Sequence, residues 1–419
     1  MTYTALLRIP EFRSLYAAQA LSLGGDQVAR IAVALLVFQR THSPLLTAVS
    51  YATTYATWLL AGPLLATLAD SLPRRRLMIA CDLLRAGLVL GMVAAAGTLW
   101  IMFVLLACVT ILDAPFQSAR AALLPSVVAG EQYTMALSLA SITNQVAQVA
   151  GFGAGGIIVG AVTVRGALGI DAVTFLASAL LVRAGVHWQA AALSGPRRML
   201  GSAGEVLRLL WRSPLLRSLL ALTWFSAALA VVPEGLAVVY AHRHGAGPVG
   251  AGLLTAALPA GQVVGAVLFV RFGTDRLRKL LLLPLAVLCF APLVATLADP
   301  GLVVTYLLWA ACGAGASLSV ITYQLFTTAV PDEVRGRAYG IASTGLLAGQ
   351  GIALVVSGAL AERSSVHAVV GWAGLIGLAC TAMLAIVWPR RAIAEIGWDS
   401  SSPGTAATKT TEITQEVAR

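Results

Sequence analysis

The chain has 419 residues, 58% of them hydrophobic and 11% charged, with a mean hydropathy of +0.85. That balance excludes an ordinary water-soluble domain, in which about a quarter of the residues are charged. The formal net charge of +10 is gathered on one side of a series of apolar segments, so it does not argue for a nucleic-acid partner.

Apolar runs of about 20 residues, the length that crosses a hydrocarbon core about 30 Å thick, fill nearly the whole chain and predict twelve transmembrane helices. Six lie near 13–38, 44–69, 77–97, 99–120, 137–161 and 166–187. Six more lie near 214–240, 248–271, 278–298, 301–325, 338–361 and 366–389. The runs are continuously apolar, which favours helices over the alternating strands of a barrel. The first run is full length and lacks a small-residue cleavage site, so it is expected to stay as helix one.

Of the 28 Lys and Arg, 22 flank one face of these spans, four (Arg40, Arg165, Arg243, Arg363) flank the other, and two (Arg30, Arg85) lie inside spans. This asymmetry places both termini in the cytoplasm, with Arg74, Arg75 and Arg76 against the cytoplasmic leaflet. The chain is thus expected to be a multi-pass protein of the bacterial cytoplasmic membrane, in contact with lipid. Cys81, Cys108, Cys289, Cys312 and Cys380 all fall within spans. They show no metal or disulfide spacing and read as small packing residues.

Residues 189–213 interrupt the apolar pattern with Gly, Pro, Ser and several arginines, and predict a cytoplasmic linker with a short interfacial helix around Leu207 to Arg212. The linker divides a six-helix bundle at 1–188 from a second at 214–390, and 391–419 is expected to be a disordered cytoplasmic tail. At an offset of 202 residues, Val128, Glu131, Ala136, Ala140, Ser141, Gln148 and Gly156 match Val330, Glu333, Ala338, Ala342, Ser343, Gln350 and Gly358. Both sets run into the fifth span of a half. The fold class expected is therefore all-α: two six-helix halves related by pseudo-twofold symmetry, the architecture of a secondary transporter with its site at the midplane.

The stretch GPLLATLADSLPRRR, ending the second span, resembles the loop signature of the major facilitator superfamily through Leu68, Ala69, Asp70, Arg74 and Arg75; Ala66, Ser71 and Pro73 depart from it. A second ATLAD, at 295–299, has no basic neighbours and reads as coincidence. The segments SLGGDQVARIAVALLVF, PRRRLMIACDLLRAG, GIDAVTFLASALLV and VPDEVRGRAYG resemble the branch of enterobactin-exporter-like and macrolide-efflux-like members. GFGAGG (Gly151 to Gly156) resembles the antiporter motif of proton-coupled exporters, with Phe152 in place of its proline. The resemblance implies a latch in which Asp70 meets the positive end of span eleven and favours the state closed to the cytoplasm. Asp82 and Arg85, at i and i+3, are expected to extend that network. Gly151, Gly155 and Gly156 predict a close helix contact on nearly one face, able to slide or bend.

Charges deep in the spans are the candidate coupling groups, since each alone costs at least ~2.5–3.5 kcal/mol at the bilayer centre. Asp26 lies about 13 residues into span one with Arg30 one turn on; the two are expected to pair or to face a watery cavity. Glu234 follows Pro233 and has no charged neighbour within a turn, so it is the first candidate for carrying a proton as its access to water changes sides. Asp26 is the second candidate and Asp113 the third. Arg30 is expected to tune Asp26 or to bind an anionic group of a substrate.

Polar and aromatic residues in otherwise aliphatic spans are the candidate cavity lining: Tyr51, Tyr55 and Trp58, Asn144, Gln145 and Gln148, Trp224 and Phe225, Tyr323 and Gln324. Such a lining suits bulky amphiphiles better than sugars. His42, His187, His242, His244 and His367 are scattered, without a nucleophile or ligand set, and no phosphate-cradling loop is present. No enzyme activity, cofactor or metal is expected. The expected function is proton-coupled export of drug-like or natural-product molecules by a chain that acts as a monomer. The alternatives are an importer, a lipid or siderophore carrier, or a non-transporting receptor.

Overall fold

The computed structural model describes residues 6–65, 72–95, 97–128, 131–187, 203–272, 277, 280–331, 334–389 and 392–393, and every regular element among them is helical. In the N-terminal half these are α1 (Pro10–Thr41), α2 (Pro44–Leu65), α3 (Arg74–Ala94), α4 (Leu99–Val127) and α5 (Glu131–Gly185). A linker helix α6 (Ala203–Arg212) precedes the second half. There follow α7 (Pro214–Ala230), α8 (Val232–Arg243), α9 (Gly247–Phe272), α10 (Leu282–Ala295), α11 (Leu302–Ala316), α12 (Leu318–Ala329), α13 (Arg335–Ala361) and α14 (Val366–Ile386).

Three differences from the predicted spans have local causes. Spans five and six run together as α5 and are separated only at Thr163, whose φ of 69° is non-helical. Span seven is divided at Val231 into α7 and α8, because Pro233 has no amide to continue the ladder. Span ten is divided at Ser317 into α11 and α12. Among the described residues nine helices are long and apolar enough to cross a membrane. With α5 taken as two arms, and α2 and the shorter α10 added, the helical rods are α1 to α4, the two arms of α5, α7 with α8, α9, α10, α11 with α12, α13 and α14.

The ends are set by familiar residues. Pro10 opens α1 with Glu11 in its first turn, and His42 closes it in the left-handed region at φ 50°, its amide bonded to Phe38 O at 2.8 Å. Ser213 caps α7, its hydroxyl accepting from Leu216 N at 3.4 Å. The short helix expected around Leu207 to Arg212 is present as α6, with Val206 and Leu210 buried and Leu207 and Trp211 exposed. The start of the expected tail differs: Ala392 and Ile393 are helical and Ile393 is buried against the C-terminal half.

The halves meet through related pairs. Gly156 packs on Gly252 of α9, and Gly358, its counterpart in the repeat, packs on Ala48 of α2. A β-carbon at Gly156 would stand 2.9 Å from Gly252 Cα, and one at Gly358 would stand 2.8 Å from Ala48 Cβ. Gly151, Gly155 and Gly156, expected on nearly one face of span five, do not share one contact. Gly151 and Gly155 abut Gln27 and Ile31 of α1, inside the half, whereas Gly156 turns to the other half. Cys289 and Cys312, unconnected by spacing, come within 3.8 Å as free buried thiols.

Candidate functional site

We call the side carrying the start of α1 and the end of α14 the terminal face, and the side carrying the α1–α2, α8–α9 and α13–α14 turns the opposite face. Inter-half contacts of the described residues run from mid-depth to the opposite face. At mid-depth Gln145 Nε2 donates to Gln262 Oε1 at 3.3 Å. Toward the opposite face come the two glycine contacts and the ring pairs of His242 with Phe38 and His42, with centroids 5.1 and 6.3 Å apart. Beyond them Glu362, at the end of α13, accepts from Ser43 Oγ and, at 3.1 Å, from the amide of Leu45 in the first turn of α2. A carboxylate thus sits on the positive end of a helix belonging to the other half.

Two charged centres lie inside the spans, and each differs from its expected pairing. Arg30 does not pair with Asp26: its Nη2 lies 3.3 Å from Glu234 Oε1 across the halves, and its Nη1 donates to Gln27 Oε1 at 3.1 Å. Tyr51, Tyr55 and Phe152 surround its guanidinium, with ring centroids at 5.6, 5.9 and 5.6 Å. Glu234 therefore has a cation after all, supplied by a helix 204 residues away in sequence. The expectation of an unpaired carboxylate failed because only neighbours along one helix are visible in sequence.

The second centre is built wholly in the N-terminal half. Arg85 Nη2 donates to both carboxylate oxygens of Asp26 at 2.9 Å. Its Nη1 lies 3.3 Å from Ser22 Oγ, 3.5 Å from Asp113 Oδ1 and 4.0 Å from Asp82 Oδ1. The guanidinium stacks 4.1 Å from the Phe175 ring centroid. Asp82 Oδ2 accepts from Ser178 at 2.6 Å, while its Oδ1 is buried without a hydrogen bond. Asp171, buried beside α1, is within electrostatic reach of Asp26 and Arg85. So Asp82 and Arg85 form a buried core cluster rather than an extension of a loop latch. Asp113, expected third among the proton candidates, joins them and accepts from Gln117 at 3.3 Å.

The remaining candidates separate cleanly. Asp70 lies outside the described residues. Arg74 donates to Ala122 O at 2.9 Å and Arg75 to Arg183 O, so both tie α3 to carbonyls near the ends of α4 and α5 inside one half. Trp224 gives its indole N–H to Ala342 O at 2.9 Å and packs within the C-terminal half. Tyr323 is half exposed and meets Tyr339 edge-on at 5.4 Å, away from Arg30's ring set. Asn144 is exposed and accepts from Gln148 at 3.1 Å. Sequence reasoning missed Asp171, although an acid inside span six was a readable signal; nothing local marked Glu362.

The profile of the family described as Transmembrane secretion effector matches residues 1–415. The uncharacterized MFS-type transporter YfiS of Bacillus subtilis (strain 168) is 25% identical over 367 residues, covering 83% of this chain and 86% of its own. Among solved structures, the nucleoside transporter NupG superposes with a TM-score of 0.70 at 13% identity, covering 92% of this chain and 99% of that one. A bacterial homologue of the iron transporter ferroportin in an inward-facing state gives 0.66 at 17%, covering 93% and 99%. A bacterial homolog to the human lysosomal transporter Spinster, inward-facing and unoccupied, gives 0.65 at 15%, covering 94% and 99%. These likenesses establish the fold. Matched over residues 1–415, the chain belongs to the transmembrane secretion effector family of major facilitator transporters, and it is a multi-pass membrane transporter, not an enzyme.

Proposed function

We propose that this transporter exports amphiphilic drug-like or natural-product molecules by alternating access, exchanging them for protons at the acid cluster around Arg85. The observation that carries this reading is the convergence of Asp26, Asp82 and Asp113 on one buried guanidinium, with Asp171 within electrostatic reach. Among the described residues only Arg85 is in direct contact with these acids, and charge left uncompensated at this depth is costly, so this cluster is where we assign proton exchange. Asp26 is the most exposed member of the cluster, at 23% of its side chain. Glu234, already paired, moves from first proton candidate to a partner of Arg30. The secretion-type family match supports the outward direction.

With both termini in the cytoplasm, the contacts at the opposite face correspond to a carrier sealed to the outside. Protons entering through 100 mV supply about 2.3 kcal/mol each, enough for roughly a 50-fold gradient of a neutral substrate. The test is solute movement in sealed proteoliposomes under an imposed pH difference, wild type against Asp26→Asn and Asp82→Asn. Gradient-driven transport that is lost in both variants, with energy-independent exchange retained, is the expected result. Transport indifferent to the pH difference would sink proton coupling.

A further inference from the structure

Donors and acceptors around Arg30 do not balance. A guanidinium carries five N–H donors and no acceptor. Here Nη1 and Nη2 bond Gln27 and Glu234 through one oxygen each, the Tyr55 hydroxyl lies within reach of the guanidinium, and Nε–H is buried without a hydrogen bond. The Tyr51 hydroxyl, on one of the rings facing the guanidinium, is buried beside the Thr255 side chain and makes no hydrogen bond of good geometry. The contact to Glu234, a single oxygen at 3.3 Å, is looser than a two-oxygen carboxylate clamp on arginine, whose bonds are about 2.7–2.9 Å. The site has spare donors, few acceptors and aromatic walls.

We propose that the substrates are amphiphilic organic anions whose carboxylate, or equivalent acid group, replaces Glu234 on Arg30 while the apolar body lies against Tyr51, Tyr55 and Phe152. This rests on the reading of the interface between the halves as the transport site. Glu234 is then the counter-ion of the empty carrier: it neutralises Arg30 while the halves reset, and it gives way when substrate brings its own negative charge. Replacing one carboxylate by another keeps the guanidinium paired at every stage, so no lone cation stands at the bilayer centre. The displaced Glu234 side chain, 12% exposed at the interface, turns to the water of the open cavity. A cationic amphiphile has no such exchange, because it meets Arg30 as a like charge and reaches Glu234 only by leaving Arg30 unpaired. An anion leaving the cell also moves with an inside-negative potential, so this class suits export.

The test titrates two xanthene dyes of similar size, anionic fluorescein and cationic rhodamine ethyl ester, onto the purified full-length protein and follows both in proteoliposomes. Fluorescein is expected to bind at least about tenfold more tightly, the ratio set by one charge-assisted bond. Arg30→Gln removes that preference, and Arg30→Lys, which keeps the charge but not the fork, retains it at lower affinity. Glu234→Gln frees the guanidinium without removing it. Fluorescein binding then tightens, net transport slows because the empty carrier resets with an unpaired arginine, and exchange of internal for external dye is spared. Equal or stronger binding of the cationic dye, binding of neither dye, or weaker fluorescein binding in Glu234→Gln overturns the proposal. Dyes carried without an anion preference overturn it while leaving transport standing; failure of any solute to move under an imposed gradient overturns the transport reading itself.

Discussion

Gly156 and Gly252 meet backbone to backbone across the halves, with no room for a side chain on either: a β-carbon at Gly252 would stand 2.6 Å from Phe152 O. The repeat places Gly358 against Ala48 in the related position. Gly156→Val is therefore expected to hold the opposite face open, and Gly358→Val to do the same. Spin labels on the α1–α2 and α8–α9 turns will report a longer mean separation in both variants, with transport lost. An unchanged distance distribution would show that the glycines do not set the seal.

Glu362 closes the same face by a different force, charge against a helix end. Glu362→Ala removes the acceptor for Ser43 Oγ and Leu45 N. Because the pair is exposed, the shift toward the open state is expected to stay below about 1 kcal/mol, or roughly fivefold in population. The same spin-label pair measures it, and the effect of the variant should shrink as salt is raised. A salt-independent change of any size would assign the contact to packing instead.

Arg85 is the centre of the buried cluster in the N-terminal half. Arg85→Gln leaves Asp26, Asp82 and Asp113 without their cation and is expected to cost about 3–5 kcal/mol, seen as a clear fall in the thermal unfolding midpoint of the purified protein. Asp26→Asn added to Arg85→Gln should recover part of the loss, since one stranded charge is gone. A midpoint unmoved by Arg85→Gln would mean that the acids are neutral without it.

Trp224 separates packing from recognition. A β-carbon at Gly345 would stand 2.5 Å from Trp224 Cε2, and the indole N–H is held by Ala342 O. Gly345→Ala should lower stability by about 1–3 kcal/mol through overpacking, and Trp224→Phe by about 0.5–1.5 kcal/mol through the lost hydrogen bond. Neither should alter which substrates are carried. A changed substrate profile in Trp224→Phe would return that residue to the cavity wall.

The membrane spans were legible because crossing a bilayer is a requirement on consecutive residues. Apolar length alone located α1 and α14, and the 202-residue offset anticipated the relation of Gly156 to Gly358. The break at Thr163 between spans five and six, and the division of span seven beside Pro233, fell where polar or proline residues interrupt the pattern. What the pattern could not carry was which face each residue turns. Gly151 and Gly156 lie five positions apart on one helix, yet one meets α1 and the other meets α9.

The charged centres show the same division. From the chain alone Asp26 and Arg30 are neighbours one turn apart, and Glu234 has no partner. In the folded protein Asp26 goes to Arg85 and Arg30 goes to Glu234. Sequence by itself determined that acids and arginines lie at mid-membrane, because their cost there depends only on depth along the apolar run. Tertiary structure alone decided the pairing, because a charge excluded from water binds whichever opposite charge the neighbouring helices bring within a few ångströms, and that proximity is set by helix packing.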